Sequence, residues 1–197
     1  MNKCLVLFVE GDTEIEFYKS LIAKVKDLCP NQRFDTKIEY KNMNGVGGFK
    51  NIVLRKFEKE IIPKYEGYSI TVALCRDSDV FERILEKPLV KWDEVENKLI
   101  NSGADNVIHI EAVHSIEDWF LYDLEGILRF LKLSKKTKIQ GKSGYEKLQR
   151  LYKRANKIYF KGMKSNGMFE CLDLDKITEN VKDQPDPLYK ALGVKQK

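Results

Sequence analysis

Lys3-Cys4-Leu5-Val6-Leu7-Phe8-Val9-Glu10-Gly11-Asp12-Thr13-Glu14 is the stretch on which the fold turns. Apolar residues run unbroken from Cys4 to Val9, and a carboxylate and a glycine then end the run. A short apolar run closed by glycine is the pattern of a strand buried on both faces. Thr13 and Glu16 stand at the spacing of a helix capping box. Phe17, Leu21, Val25 and Leu28 follow at helical intervals until Pro30 stops them. The stretch reads as strand, tight turn and helix, with an acid at the turn.

The same alternation continues outward. A second strand is expected over Phe34–Tyr40, a helix over Phe49–Ile62 ended by Pro63, and a third strand over Ile70–Cys75. A helix over Val90–Ile100 runs up to Gly103, and a fourth strand covers Val107–Glu111. Ser115 and Asp118 then open a helix with Ile116, Trp119, Phe120, Ile127, Leu128 and Leu131 on its apolar face. Short apolar strands separated by helices predict an α/β, Rossmann-like architecture, a mainly parallel sheet covered on both faces. The α/β core is expected over residues 1–130. Residues 131–197 are read as a basic, mostly helical extension packed on it, with helices over Ser143–Ala155, Asp173–Val181 and Leu188–Leu192.

With 197 residues, 43% hydrophobic and 33% charged, the chain is long enough to bury a core without disulfide or metal staples. Cys4, Cys29, Cys75 and Cys171 form no Cys-x-x-Cys pair, so they read as reduced thiols of a cytoplasmic protein and argue against a zinc site. The Cys4–Val9 run is too short for a membrane span or a signal peptide, so no membrane partner is expected. The net charge of +5 conceals a split. Thirteen basic residues and the single acid Glu146 lie between Arg129 and Lys164, a local charge of +12, against −7 for the rest. Tyr145, Tyr152, Tyr159 and Phe160 interleave those bases. Cations that release counterions from phosphates and aromatics that stack on bases together suit nucleic acid. Lys142, Arg150, Lys153, Arg154, Lys157 and Lys164 are the expected contacts.

The acids cluster by a different logic. In a parallel sheet, functional groups gather at the carboxyl ends of the strands. Glu10 follows the first strand, Asp77 and Asp79 follow the third, and Glu117 follows the fourth, while Glu14 lies in the first turn of the first helix. Crowded carboxylates repel unless a cation neutralises them, and hard oxygens suit Mg²⁺. Glu10 with Asp77 and Asp79, each just past an apolar strand, forms the expected metal site, whereas Glu14 and Glu117 at helix starts also suit the helix dipole; His114 lies beside the acidic loop.

These residues carry a resemblance. Leu5–Glu14, a strand ending in Glu-Gly with a second Glu four residues on, resembles the first motif of the TOPRIM domain in its OLD-family nuclease form. Val72-Ala73-Leu74-Cys75-Arg76-Asp77-Ser78-Asp79 is similar to the Asp-x-Asp motif of that fold. Ser115-Ile116-Glu117-Asp118-Trp119-Phe120-Leu121-Tyr122-Asp123 and Tyr159-Phe160-Lys161-Gly162 resemble the acidic helix start and late lysine motif of small RloB-like TOPRIM proteins linked to phage defence. The resemblance implies a Mg²⁺-dependent nuclease, with Mn²⁺ as substitute, acting on DNA or RNA in an anti-phage system, with a separately encoded ABC-type ATPase as partner. It gives Glu10 a role in metal binding or acid–base chemistry, makes Asp77 and Asp79 Mg²⁺ ligands with Glu14 and Glu117 completing one or two metal sites and Asp118 in reserve for Glu117, and gives Lys161 the developing charge of the transition state. A small RNA-processing nuclease and a non-cleaving regulatory subunit of an ATPase complex stay open as alternatives.

Other motifs fail on spacing. Gly141-Lys142-Ser143 ends like a P-loop, but Lys136 stands where its first glycine belongs. A haloacid-dehalogenase reading of Asp77-Ser78-Asp79 meets Phe81 where Thr or Val is required. His109 and His114 make no His-Glu-x-x-His zinc motif. Asn44-Gly45-Val46-Gly47-Gly48 is read as a flexible loop bordering the substrate groove.

Overall fold

Lys3–Val9 (β1) is the sheet's seed, and its side chains serve two cores at once. Leu5, Leu7 and Val9 enter one apolar cluster, and Cys4, Val6 and Phe8 enter another on the opposite face. Successive strand side chains point to opposite faces, so a strand covered on both sides must be apolar throughout. The computed structural model describes residues 2–78 and 90–194. Four strands, β1, β2 (Lys37–Asn42), β3 (Ser69–Asp77) and β4 (Asn106–Ala112), form one parallel sheet in the order β2-β1-β3-β4.

One layer holds the helix Asp12–Leu28 (α1), whose Phe17, Leu21 and Val25 pack with Ile116, Trp119, Phe120 and Ile127. Phe17 is the hub of this layer, with ring centroids of Trp119, Phe120 and Phe169 at 5.9, 5.2 and 5.6 Å. The C-terminal helices Gly144–Arg154, Leu174–Val181 and Asp186–Ala191 feed Leu148, Leu151, Ile177, Val181 and Leu188 into the same cluster. The other layer is built from Phe49, Val53, Phe57 and Ile61, with Val95 and Leu99 of the helix Trp92–Asn101. The architecture is therefore a parallel sheet between two helical layers.

Several element expectations shift in detail. The second strand runs over Lys37–Asn42, not Phe34–Tyr40, because its ladder with β1 pairs Cys4 with Lys37 through Val9 with Asn42. The helix expected over Phe49–Ile62 is three pieces, Gly47–Asn51, Val53–Lys56 and a wide π-type turn at Phe57–Ile61. That wide turn places Phe57 and Ile61 together in the core. The helix opened by Ser115 is interrupted at Leu121–Asp123 before resuming over Leu124–Phe130. There Asp123 accepts the Asp173 N–H at 2.8 Å.

The capping box at Thr13 is overturned. Gly11 is the N-cap, the Thr13 hydroxyl donates to the Met163 carbonyl, and Glu16 accepts the Ser165 N–H at 2.6 Å. Long-range partners outcompete the local motif here. Ser115 does precede its helix, but its hydroxyl donates to the Asp118 carboxylate at 2.9 Å rather than accepting a backbone N–H. A side-chain cap does form at Ser143, which accepts the Glu146 N–H at 3.2 Å while Glu146 accepts the Lys142 N–H at 2.9 Å.

Among the described residues, no helix is long and apolar enough to cross a membrane.

Candidate functional site

The connection from β1 leads to one edge of the sheet and the return to β3 leads to the other side of β1, so the strand order reverses between β1 and β3. A crevice opens outside the carboxyl ends of the strands at such a reversal. Glu10 stands at the end of β1, and Asp77 is the last residue of β3. They touch directly, the Asp77 N–H donating to Glu10 Oε1 at 3.3 Å.

Three further side chains converge on this pair. Asp77 is 2% exposed; its Oδ1 accepts the Ile116 N–H at 2.9 Å and its Oδ2 accepts from Lys161 Nζ at 2.5 Å. Lys161 Nζ also lies 3.9 Å from Glu10 Oε2, with 37% of its side chain exposed. The backbone bond at Ile116 fixes the start of the next helix, which carries Glu117 into the interior. Tyr159 O–H donates to Glu117 Oε1 at 3.1 Å, and Glu117 Oε2 is buried without a partner. Glu14, in the first turn of α1, is also buried, and its Oε2 is likewise unpartnered.

Lys161 reaches the centre because two glycines let two backbones cross. A Cβ on Gly11 would stand 2.4 Å from Gly162 Cα, and Gly162 has φ +78°. The Asp12 N–H donates to the Gly162 carbonyl at 2.9 Å, which pins the Lys161 loop onto the start of α1. Only glycine tolerates both the approach and that backbone angle without strain.

The electrostatics follow from burial. Burial first, and the Asp77 charge second, push Glu10 up to about 7. Burial, then Asp77 and Glu10, push Glu14 up to about 8. Glu117 is raised by burial and by Asp77. For Lys161, burial works against the ammonium, but Asp77 and Glu10 outweigh it and raise its pKa. Among the described residues, four carboxylates thus face one ammonium, and the shortage of positive charge is made up by protons or by another cation.

The donor set fits a hard divalent cation in chemistry: four carboxylates, two with a buried, unpartnered oxygen. Among the described residues, however, no three His, Cys, Asp or Glu side chains stand as a ready-made cage. The Lys161 ammonium already lies within 4 Å of both Glu10 and Asp77. Holding a metal there requires a shift of Lys161 or of the carboxylates around it.

A cleft of about 320 Å³ opens over Glu10, Glu14 and Lys161, walled by Asn42, Asn44 and Gly45. Of the loop expected over Asn44–Gly48, Asn44 and Gly45 border the site, anchored by the Gly45 N–H on the Glu10 carbonyl at 2.8 Å, while Gly47 and Gly48 open a helix.

The other expected residues distribute as follows. Asp79 lies outside the described residues, as does Phe81. Asp118 does not stand in for Glu117. It is bonded by Ser115, lies 4.0 Å from Lys147 and lines a separate cleft of about 590 Å³ with His114 and Tyr122. His109 sits 2.9 Å from Glu96 and edge-on to Trp92. Trp119 and Phe120 are core.

In the basic segment, Lys142, Arg150, Lys153, Lys157 and Lys164 are exposed. Arg154 is turned back onto the Lys138 carbonyl and Gln140, and Lys157 lies 4.7 Å over the Phe130 ring. The interleaved aromatics are mostly not surface groups. Tyr152 and Tyr159 are buried against one another, and Tyr145 packs on Tyr159. Phe160 alone of the four is exposed. The helix Gly144–Arg154, which carries Arg150, Lys153 and Arg154, is seated against the helix start that bears Glu117, since a Cβ on Gly144 would fall 2.6 Å from the Asp118 nitrogen.

Tyr159 as the partner of Glu117, and Asn42 as a cleft wall, were not singled out from sequence. The alternation of Tyr159 and Lys161, both inward, was the available signal. The chain gives no match to protein-family models, to curated proteins or to solved structures.

Proposed function

We propose that this chain is a Mg²⁺-dependent phosphodiesterase of the TOPRIM type that cleaves DNA or RNA. One observation carries the reading: Glu10, Glu14, Asp77 and Glu117 converge at the β1–β3 reversal with Lys161 among them. Glu10, Glu14, Asp77 and Glu117 would hold the metal, with Asp79 as a further ligand and Mn²⁺ as an acceptable replacement. When bound, the metal supplies charge neutralisation of the scissile phosphate and an activated water.

The chain's own residues do the rest. In the metal-free chain Glu10 is raised to about 7, so it can take a proton near neutral pH where it is not itself ligating. Lys161, whose ammonium stands among these carboxylates, would set its positive charge against the charge developing on the phosphate oxygens. Tyr159 holds Glu117 in place through Oε1 and leaves Oε2 for ligation. Lys142, Arg150, Lys153, Lys157 and Lys164 hold the flanking backbone.

The role in anti-phage defence and the ABC-type ATPase partner rest on the sequence resemblance alone. The Lys161–Asp77 contact favours one second reading, a regulatory subunit whose carboxylates stay closed by the ammonium and never cleave.

The deciding experiment incubates the protein with Mg²⁺ or Mn²⁺ and plasmid DNA, tRNA or single strands, beside Glu10→Ala and Asp79→Ala. Metal-dependent cleavage lost in both variants supports the phosphodiesterase. Identical patterns from all three proteins remove it.

A further inference from the structure

The loop that delivers Lys161 has a second face. Along 158–161 the side chains alternate: Tyr159 turns in to Glu117 and Lys161 to Asp77, while Ile158 and Phe160 stand out at 67% and 58% exposure. Single exposed apolar residues are ordinary, but two from one short loop, beside the most polar centre of the molecule, need a reason.

The loop is held rather than loose. The Met163 N–H donates to the Phe160 carbonyl at 3.2 Å, the Phe160 N–H meets Met163 Sδ at 3.1 Å, and Gly162 is bonded to Asp12. The backbone that presents the exposed Phe160 ring is thus fixed one residue from the ammonium at the centre. Exposed Lys157 and Lys164 stand on either side of it in sequence.

We propose that Phe160, with Ile158 beside it, stacks on an unpaired nucleobase next to the phosphate held at Lys161, so that the substrate is single-stranded nucleic acid, either a free strand or a loop. The inference rests on the phosphodiesterase reading for the position of that phosphate. An aromatic ring flanked by cations is how sequence-tolerant single-strand binders hold successive bases. In a duplex each base is already stacked between its neighbours, so Phe160 gains nothing from it.

The test is equilibrium binding in EDTA, where no cleavage occurs, of a short labelled DNA strand, an RNA strand and the matching duplex. Phe160 is exposed, so its variants keep the fold. Phe160→Ala is expected to weaken single-strand binding about tenfold to a hundredfold, in line with the loss of one stacked base, and to leave duplex binding unchanged. Phe160→Trp is expected to bind as tightly as the wild type, its added indole emission being quenched by the strand. The DNA and RNA arms show which sugar the loop prefers.

The inference is overturned if the wild type binds no single strand, or if Phe160→Ala weakens strand and duplex alike. It is equally overturned if Phe160→Leu binds as well as wild type, or if the patch instead joins two copies of the chain, seen as self-association abolished by Phe160→Ala. Single-strand binding through Phe160 by a protein that never cleaves would sink the phosphodiesterase reading and leave the stacking platform standing.

Discussion

The buried carboxylates make the metal-free protein's stability depend on pH in an unusual direction. Glu10 and Glu14 titrate near 7 and 8 in the folded chain, against 4.5 when exposed. Between those limits the fold holds protons that the unfolded chain has released. Stability is therefore fully present below about pH 4.5 and is lost as pH rises through about 7 and then 8. Each pH unit over which one proton is held only by the fold costs about 1.4 kcal/mol. That gives roughly 3 kcal/mol for Glu10 and about 5 kcal/mol for Glu14. Both depend on the Asp77 charge, so they are not additive, and the larger, Glu14, taken over the part of its range above about pH 5, leaves on the order of 4 kcal/mol as the working loss by alkaline pH. In a domain of this size 1 kcal/mol moves Tm by about 2–4 °C, so Tm should fall roughly 8–16 °C from about pH 5 to about pH 8.5. Glu39, where Lys64 and Tyr65 outweigh burial, and Glu60, lowered by Lys41, pull the other way but finish titrating below this window. The assay is thermal melting in EDTA across that range, then with saturating Mg²⁺. A divalent cation binds the ionised carboxylates and competes with their protons, so it should raise Tm most at the alkaline end. Glu14→Gln should flatten the metal-free slope. A metal-free Tm that is level or rising with pH, or a Mg²⁺ gain equal at both ends, refutes the reasoning.

Other consequences are sharper at single residues. Asp77→Asn keeps an oxygen for the Ile116 N–H but gives up the charge facing Lys161, so cleavage should drop at least about a hundredfold with nucleic-acid affinity intact, checked by paired rate and binding assays. Gly11→Ala drives a methyl into Gly162 Cα, so it should displace the Lys161 loop and cut activity far more than its drop in Tm would suggest. Tyr159→Phe leaves both Glu117 oxygens buried without this donor and should cost about 1–3 kcal/mol in denaturant unfolding; a negligible change would mean that Glu117 is satisfied in another way. Lys153→Gln should weaken strand and duplex binding alike and reduce the slope of log affinity against log salt by about one; an unchanged slope removes Lys153 from the phosphate contacts.

What the sequence disclosed, and what it hid, divides by the range of the interactions involved. The strands were legible because burial on both faces demands an unbroken apolar run, as in Cys4–Val9. The placement of Glu10 and Asp77 followed, since a parallel sheet collects its strand ends on one side. The second strand slid because its burial is partial, so its extent was set by pairing to β1 rather than by its own alternation. Thr13 and Glu16 misled because a capping box is a local pattern, whereas their partners Met163 and Ser165 lie about 150 residues away in sequence. The same distance explains Tyr159: nothing near it in sequence announces that it will meet Glu117.

The charge pattern is the case in which local and distant readings meet. The +12 segment and the acidic remainder look like two separate surfaces when counted along the chain. In the fold one lysine of the basic segment crosses into the acidic centre, and the crossing depends on Gly11 and Gly162, two residues with no side chain to count. Burial first, and the unbalanced charge of the neighbouring carboxylates second, drive Glu10 and Glu14 so far up. Protons make up the imbalance in the metal-free chain; on the phosphodiesterase reading a divalent cation would do so instead, with Lys161 or the carboxylates around it shifting to admit it.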